Sequence, residues 1–160
     1  MHSAIIQVSA KPVKKADYID ESALCDSCTL NYVSDYYGDP LGKEERKEMI
    51  EALKGLLSGI AEWNPTRHRF EVKDRKSAFA VYTEWLKETL GEGMKNVESK
   101  GMKWDASPYH LRSSLEKFRG SSLLFTTDGN VELSADFVRD LAVGNYGDKL
   151  YVGNMLDYHF

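Results

Sequence analysis

The chain has 160 residues, of which 42% are apolar and 29% charged, and its formal net charge is −4 at pH 7. This balance excludes disordered and fibrous compositions and is typical of a single globular domain, which we expect to span residues 1–160. The acidic balance also disfavours general DNA or RNA binding, because proteins that mainly contact the nucleic-acid backbone are usually basic.

Targeting and redox signals in the sequence predict a cytoplasmic protein. The apolar run Ala4-Ile5-Ile6 is too short for the apolar part of a signal peptide, and no run approaches the length of a membrane span. Two cysteines cannot build a disulfide framework, which agrees with a reducing compartment. We therefore expect no contact with membranes.

The first half of the chain contains four segments with a clear period. Residues 3–10 are β-branched and predict a strand, and residues 67–74 predict a second strand with Phe70 and Val72 on one face. Residues 43–60 carry an apolar stripe at helical spacing, and residues 76–91 carry another, with Gly91 placed to cap the helix. Strand and helix signals therefore alternate irregularly.

The second half adds one predicted helix, a hairpin, a short helix and a terminal strand. Residues 107–120 begin with Ser107 and Pro108, which are favoured at a helix start. Asp128-Gly129 predicts a hairpin turn, Ser134 is placed to cap a short helix, and residues 148–160 have a strand pattern. The order predicts an α+β domain with a mixed or antiparallel sheet of about four to six strands, covered by about four to five helices.

Cys25 and Cys28 form the one spacing that resembles a redox or metal motif. If residues 22–37 are helical, both cysteines lie on an apolar face, where a thiol packs as a small hydrophobic group. Acidic neighbours oppose a reactive thiolate, and no histidine stands at a spacing that would complete a zinc site. We expect no metal and no cofactor.

The sequence contains none of the short motifs for nucleotide hydrolysis, dinucleotide binding, zinc proteolysis or serine-hydrolase chemistry. His68 lies between Arg67 and Arg69, whose charges favour a neutral imidazole that could act as a base. An enzyme with an unfamiliar site, using His68, a tyrosine or the cysteines, therefore stays as an alternative hypothesis.

Residues 67–76 form a basic strip within this acidic protein. Arg67, Arg69 and Lys73 alternate with Phe70 and Val72, so they are expected on the solvated face of a strand. The alternative interpretation is that the strip contacts phosphate or nucleic acid.

Residues 92–106 show no clean period and predict a long connection. The segment contains Met94, Met102, Lys103 and Trp104, a composition typical of a contact surface. A hidden helix within it would remove the need for a long loop.

These observations favour a non-enzymatic domain that binds another macromolecule, in the manner of an inhibitor, an immunity protein or an accessory factor. A protein partner is expected, because tyrosine, tryptophan and arginine are favoured at interfaces. The predicted partner-binding residues are Trp104, Met94, Met102, Lys103, Arg67 and Arg69.

Overall fold

The protein folds around a seven-stranded mixed sheet with three α-helices in the described part of the chain. A computed structural model describes residues 2–20, 36–100, 118–120, 123–127 and 130–159. The strands are β1 (His2–Ser9), β2 (Tyr36–Pro40), β3 (Ala61–Asn64), β4 (Arg69–Val72), β5 (Leu124–Thr127), β6 (Asn130–Leu133) and β7 (Lys149–His159). The helices are α1 (Lys43–Leu56), α2 (Arg75–Lys100) and α3 (Ser134–Val143). The α+β class is confirmed, with one strand more than predicted and three described helices in place of four or five.

Strand β7 pairs with three other strands of the sheet. One of its edges pairs antiparallel with β1, from His2 opposite His159 to Ser9 opposite Tyr151. Its other edge pairs with β4 over residues 149–151 and with β2 over residues 156–159. The sheet order is β3-β4-β7-β1-β5-β6, in which β1 and β5 are parallel.

Strand β1 is buried on both faces of the sheet. Ile6 belongs to the main core, which the helices cover, whereas Ile5 packs on the opposite face with Leu124 and Leu156. Both isoleucines are fully buried. The adjacent apolar residues Ala4, Ile5 and Ile6 are the pattern expected of a strand that is covered on both faces.

Helices α2 and α3 cover the main core through aromatic contacts. Phe137 of α3 stacks on Phe125 of β5, with ring centroids 4.0 Å apart. Trp85 of α2 meets Phe118 edge to face at 4.7 Å. Aromatic pairs of this kind add to the burial free energy that fixes the helices on the sheet.

Two predicted helix ends are wrong. Helix α2 continues through Gly91 to Lys100, so residues 92–100 are helical and the long connection is correspondingly shorter. Helix α3 begins at Ser134 itself, with Leu133 in the capping position, and the Ser134 hydroxyl has no hydrogen-bond partner among the described residues. The predicted strand at residues 3–10 and the predicted hairpin are confirmed by β1 and by the β5–β6 pair. Of the predicted helix at residues 107–120, only 118–120 lie in the described part, where they form a 3-10 turn.

Candidate functional site: a groove beside helix α1

An open groove of about 940 Å³ lies between α1, the β3–β4 hairpin and the middle of β7. Its fourth side is the segment that follows β1. The lining residues are Pro12, Val13, Tyr18, Lys43, Arg46, Lys47, Ile50, Glu51, Lys54, Trp63, Pro65, Arg67, His68, Tyr151, Val152 and Met155.

The groove occupies a gap in the sheet. Strands β4 and β2 both pair with the same edge of β7, and none of the described strands pairs with residues 152–155 of β7 on that side. Arg46 of α1 fills part of the gap: Nη2 donates to the carbonyl of Gly153 at 2.8 Å, and Nη1 donates to Oδ1 of Asn154 at 3.3 Å. The Arg46 side chain therefore donates to a β7 carbonyl at a point where no described strand does.

Helix α1 presents a mostly cationic stripe to the groove. Lys43, Arg46, Ile50 and Lys54 follow one another at intervals of three or four residues, so they share one face of the helix. The stripe runs from Lys43 to Lys54, and these eleven residue steps correspond to about 16 Å along the helix axis. An extended peptide of about five residues would match that length.

The β3–β4 hairpin forms the opposite wall. The Trp63 ring packs on Phe70 with centroids 4.9 Å apart and meets His68 at 6.2 Å. The backbone N–H of Arg67 donates to Oδ1 of Asn64, which closes the turn, and His68 has a φ of 46° there. The Arg67 side chain is exposed at the tip of this wall.

A polar clamp holds the end of the groove in place. At the bulge in β1, Oε1 of Gln7 accepts the N–H groups of Asn154 and Ile19, and its Nε2 donates to the carbonyl of Asp17. The Asn154 amide in turn donates to the carbonyl of Ile19 at 2.8 Å. These bonds fix Tyr18, which lies between the two clamped residues, at the edge of the groove.

The groove lining carries five cations and one carboxylate: Lys43, Arg46, Lys47, Lys54, Arg67 and Glu51. Lys47 and Lys54 pair with glutamates of their own helix, at 2.8 Å and 2.5 Å. Within the described part of the chain, Lys43, Arg46 and Arg67 form no ion pair. The groove is therefore locally positive on an acidic protein.

Arg69 lies outside this positive surface. Its side chain is buried, and Nε and Nη2 both donate to Oε1 of Glu71, at 3.0 Å and 2.6 Å. This hydrogen bonding raises the pKa of Arg69 and holds the pKa of the Glu71 carboxyl below its ordinary value. The expectation that Arg69 lies on a solvated face is wrong, because its partners are supplied by the sheet itself.

The cations of the basic strip at residues 67–76 thus differ in their exposure and in their partners. Arg67 stays exposed in the groove, whereas Arg75 donates to the carbonyls of Leu141 and Tyr146 and pairs with Asp148 at 2.7 Å. The strip does not form a continuous cationic surface.

Met94 lies on a second exposed surface, away from the groove. The exposed apolar side chains Phe79, Leu90 and Met94 recur along α2. Trp104, Met102 and Lys103 lie outside the described residues, as do Cys25 and Cys28. The contact surface predicted around Trp104 stays a prediction.

Among the described residues, no group of three or more histidine, cysteine, aspartate or glutamate side chains is arranged to hold a metal ion. In the same part of the chain, no helix combines the length and the apolar character needed to cross a membrane.

His68, the candidate base, lines the groove, and no described residue is hydrogen-bonded to its ring. Its ring contacts Trp63. Its carbonyl oxygen accepts the N–H of Val152. No carboxylate orients this imidazole in the described part of the chain.

Most of the groove escapes sequence-based prediction. Arg67 was predicted as a binding residue, but Arg46, Trp63 and Tyr151 were not. For α1 a signal was available: the apolar stripe that includes Ile50 is preceded, at helical spacing, by the cations Arg46 and Lys43.

No family model matches the chain, and comparisons with curated proteins and with solved structures find no match.

Proposed function

We propose that this protein is a non-enzymatic binding domain that holds an extended segment of a partner protein in the groove beside α1. The observation that carries the proposal is the combination of an apolar floor and a cationic rim. Ile50, Trp63 and Val152 are half-buried on the floor, and Lys43 and Arg67 are exposed at the rim. An apolar centre surrounded by polar residues is the usual anatomy of a protein interface.

A protein segment suits the groove better than a nucleic acid does. Helix α1 carries Glu44, Glu45, Glu48 and Glu51 next to its four cations, so the helix has no net charge. A phosphodiester chain carries a charge on every nucleotide and would lie against Glu51 of the lining, with the other three glutamates on the same helix, as well as against the lysines. A peptide can place one or two carboxylates among apolar side chains and avoid that repulsion.

The enzyme hypothesis receives less support. A general base needs a partner that orients it and a nearby group that reacts. His68 contacts an indole ring and lies at an exposed turn, an environment more typical of a binding surface. The proposal places the protein in the cytoplasm, as a single domain.

The test is selection of binding peptides from a phage-displayed library of random nine-residue sequences. We expect the wild-type protein to enrich a family of related peptides, and we expect the synthetic peptides to perturb the backbone NMR signals of Ile50, Trp63 and Val152. The variant Lys43→Glu/Arg67→Glu should bind them at least about tenfold more weakly, which corresponds to the loss of about 1.4 kcal/mol.

The matched control is Lys95→Glu, which changes an exposed lysine on α2 that lines no part of the groove. It should leave peptide binding unchanged. Weaker binding in the control with unchanged binding in the groove variant would move the site to α2. Failure to enrich any peptide, or groove-dependent retention of a fifteen-residue oligo(dT), would overturn the proposed function.

A further inference from the structure

Arg46 is a half-buried cation whose hydrogen bonds reach neutral acceptors. Its two terminal nitrogens donate to the Gly153 carbonyl and to the Asn154 amide oxygen. No ion pair involves Arg46 within the described part of the chain. At the floor of the groove, its guanidinium therefore has no ion-pair partner among the described residues.

The guanidinium has capacity left for a ligand. Arginine has five N–H donors, and the two bonds to β7 use two of them. A charged group that is partly removed from water gains from an opposite charge more than an exposed one does, because screening is weaker there. Carboxylates suit a planar guanidinium, which can offer two parallel donors.

The neighbours of Arg46 on α1 define the surroundings of a carboxylate that would bind its guanidinium. Lys43, three residues earlier, is exposed and forms no ion pair among the described residues, whereas Ile50, four residues later, is half-buried and apolar. Trp63 and Val152 are further half-buried apolar residues of the same lining. The site therefore offers both cationic and apolar contacts.

We propose that Arg46 binds the side-chain carboxylate of an aspartate or glutamate in the partner segment, next to a large apolar partner side chain that occupies the floor beside Ile50. This inference rests on the proposed function and specifies its ligand. The carboxylate comes from a side chain within the segment, since the cationic stripe extends along the helix and the groove is open. Arg46 thereby determines which segments bind.

The first experiment analyses the peptides enriched from the nine-residue library. We expect aspartate or glutamate to be enriched within three positions of an aromatic or large aliphatic residue. Synthetic peptides in which that acid is changed to asparagine or glutamine should bind about tenfold or more weakly, as expected for loss of a hydrogen-bonded charge. Enriched peptides that lack acids, or that tolerate the amide change, would overturn the inference and leave the proposed function standing.

The second experiment assigns the effect to Arg46. In Arg46→Lys the charge is kept but the paired donors are lost, so the acidic peptide should lose affinity and the amide peptide should not. In Lys95→Gln both peptides should bind as they do to the wild type.

Because Arg46 also anchors α1 to β7, the wild-type protein provides a readout that needs no variant to fold. The Nε–Hε NMR signal of Arg46 should shift on addition of the acidic peptide and stay in place with the amide peptide. An unmoved Arg46 signal in the presence of saturating acidic peptide would overturn the assignment.

Discussion

Nη1 of Arg69 donates a hydrogen bond of 2.7 Å to the phenolic oxygen of Tyr151, and the two residues stand opposite each other in the β4–β7 pair. The guanidinium carbon also lies 5.4 Å from the centre of the Tyr151 ring. With Glu71 on its other side, the buried arginine has both a carboxylate and a phenol as partners. One wall of the groove thus depends on a cation that no ligand can reach.

The first prediction follows from this pair. Tyr151→Phe keeps the ring but removes the acceptor, so a buried donor of Arg69 is left unpaired and the protein should unfold at a clearly lower urea concentration. The slope of the unfolding transition should not change, because the same surface is exposed. Tyr18→Phe alters an exposed tyrosine and serves as the control. Equal midpoints for the two variants would show that the Arg69–Tyr151 bond adds nothing.

The second prediction concerns pH. Burial raises the pKa of Glu132, against the opposing effect of a hydrogen bond from the Tyr146 hydroxyl at 2.6 Å, and the charges of Asp140 and Asp136 raise it further. Since the folded pKa lies above the ordinary value of 4.5, the native state binds the proton more tightly than the unfolded chain does. The contribution of Glu132 to stability is therefore greatest below pH 4.5 and falls as pH rises through the folded pKa.

Glu132→Gln should remove this loss of stability with rising pH while keeping an acceptor for the Tyr146 hydroxyl. Relative to the wild type, the variant should gain stability between pH 4 and pH 7, measured by urea unfolding at both values. Glu71→Gln provides a control of opposite sign, because the lowered pKa of Glu71 makes its contribution present above the ordinary value and lost on acidification. A Glu132→Gln variant that loses stability toward pH 7 would contradict the prediction.

The third prediction tests the continuity of α2. Gly91 lies inside the helix, and among the described residues a β-carbon added there would meet no atom within 4 Å apart from its chain neighbours and the nearby helix backbone. Gly91→Ala should therefore stabilise the protein by about 0.5–1 kcal/mol, since alanine favours the helix interior. If Gly91 instead ended the helix in a left-handed conformation, the same change would be destabilising. Thermal unfolding of the one variant distinguishes the two outcomes.

The fourth prediction concerns the space beside the Gln7 clamp. A β-carbon at Gly153 would lie 2.8 Å from Cδ of Gln7 and 3.0 Å from Cγ1 of Val13, both closer than normal contact. Gly153→Ala should displace the clamp and cost about 1–3 kcal/mol, as overpacking usually does. Gly147→Ala, whose new β-carbon would meet Ala10 at an ordinary 3.9 Å, is the matched control. Similar unfolding midpoints for both variants would contradict the prediction that a β-carbon at Gly153 is destabilising.

Several elements could be predicted because their signal lies within one segment. Three signals each predict their element without help from the rest of the chain. They are the β-branched residues of β1, the apolar stripe of α1 and the turn residues between β5 and β6. The extension of α2 was missed because glycine disfavours a helix by only about 1 kcal/mol, which the rest of a 26-residue helix can outweigh.

The groove was missed for a different physical reason. Its walls come from four segments, and periodicity within one segment does not show which other segment lies opposite it. The burial of Arg69 depends on Tyr151, 82 positions further along the chain. The residues of β3 were too few to show alternation, so Trp63 was not assigned to any element.

The central position of β7 also constrains how the protein can fold. Strands β1, β2 and β4 share no hydrogen-bonded edge with one another, and β7 is the strand that pairs with all three. Pairing of His2 with His159 closes a loop of nearly the whole chain, and the entropy of closing so long a loop slows folding. The helices and the β3–β4 hairpin can form early from local contacts, but the three strands remain separate until β7 docks. During that interval their unpaired edges are open to other chains, so the yield of refolding should fall as protein concentration rises.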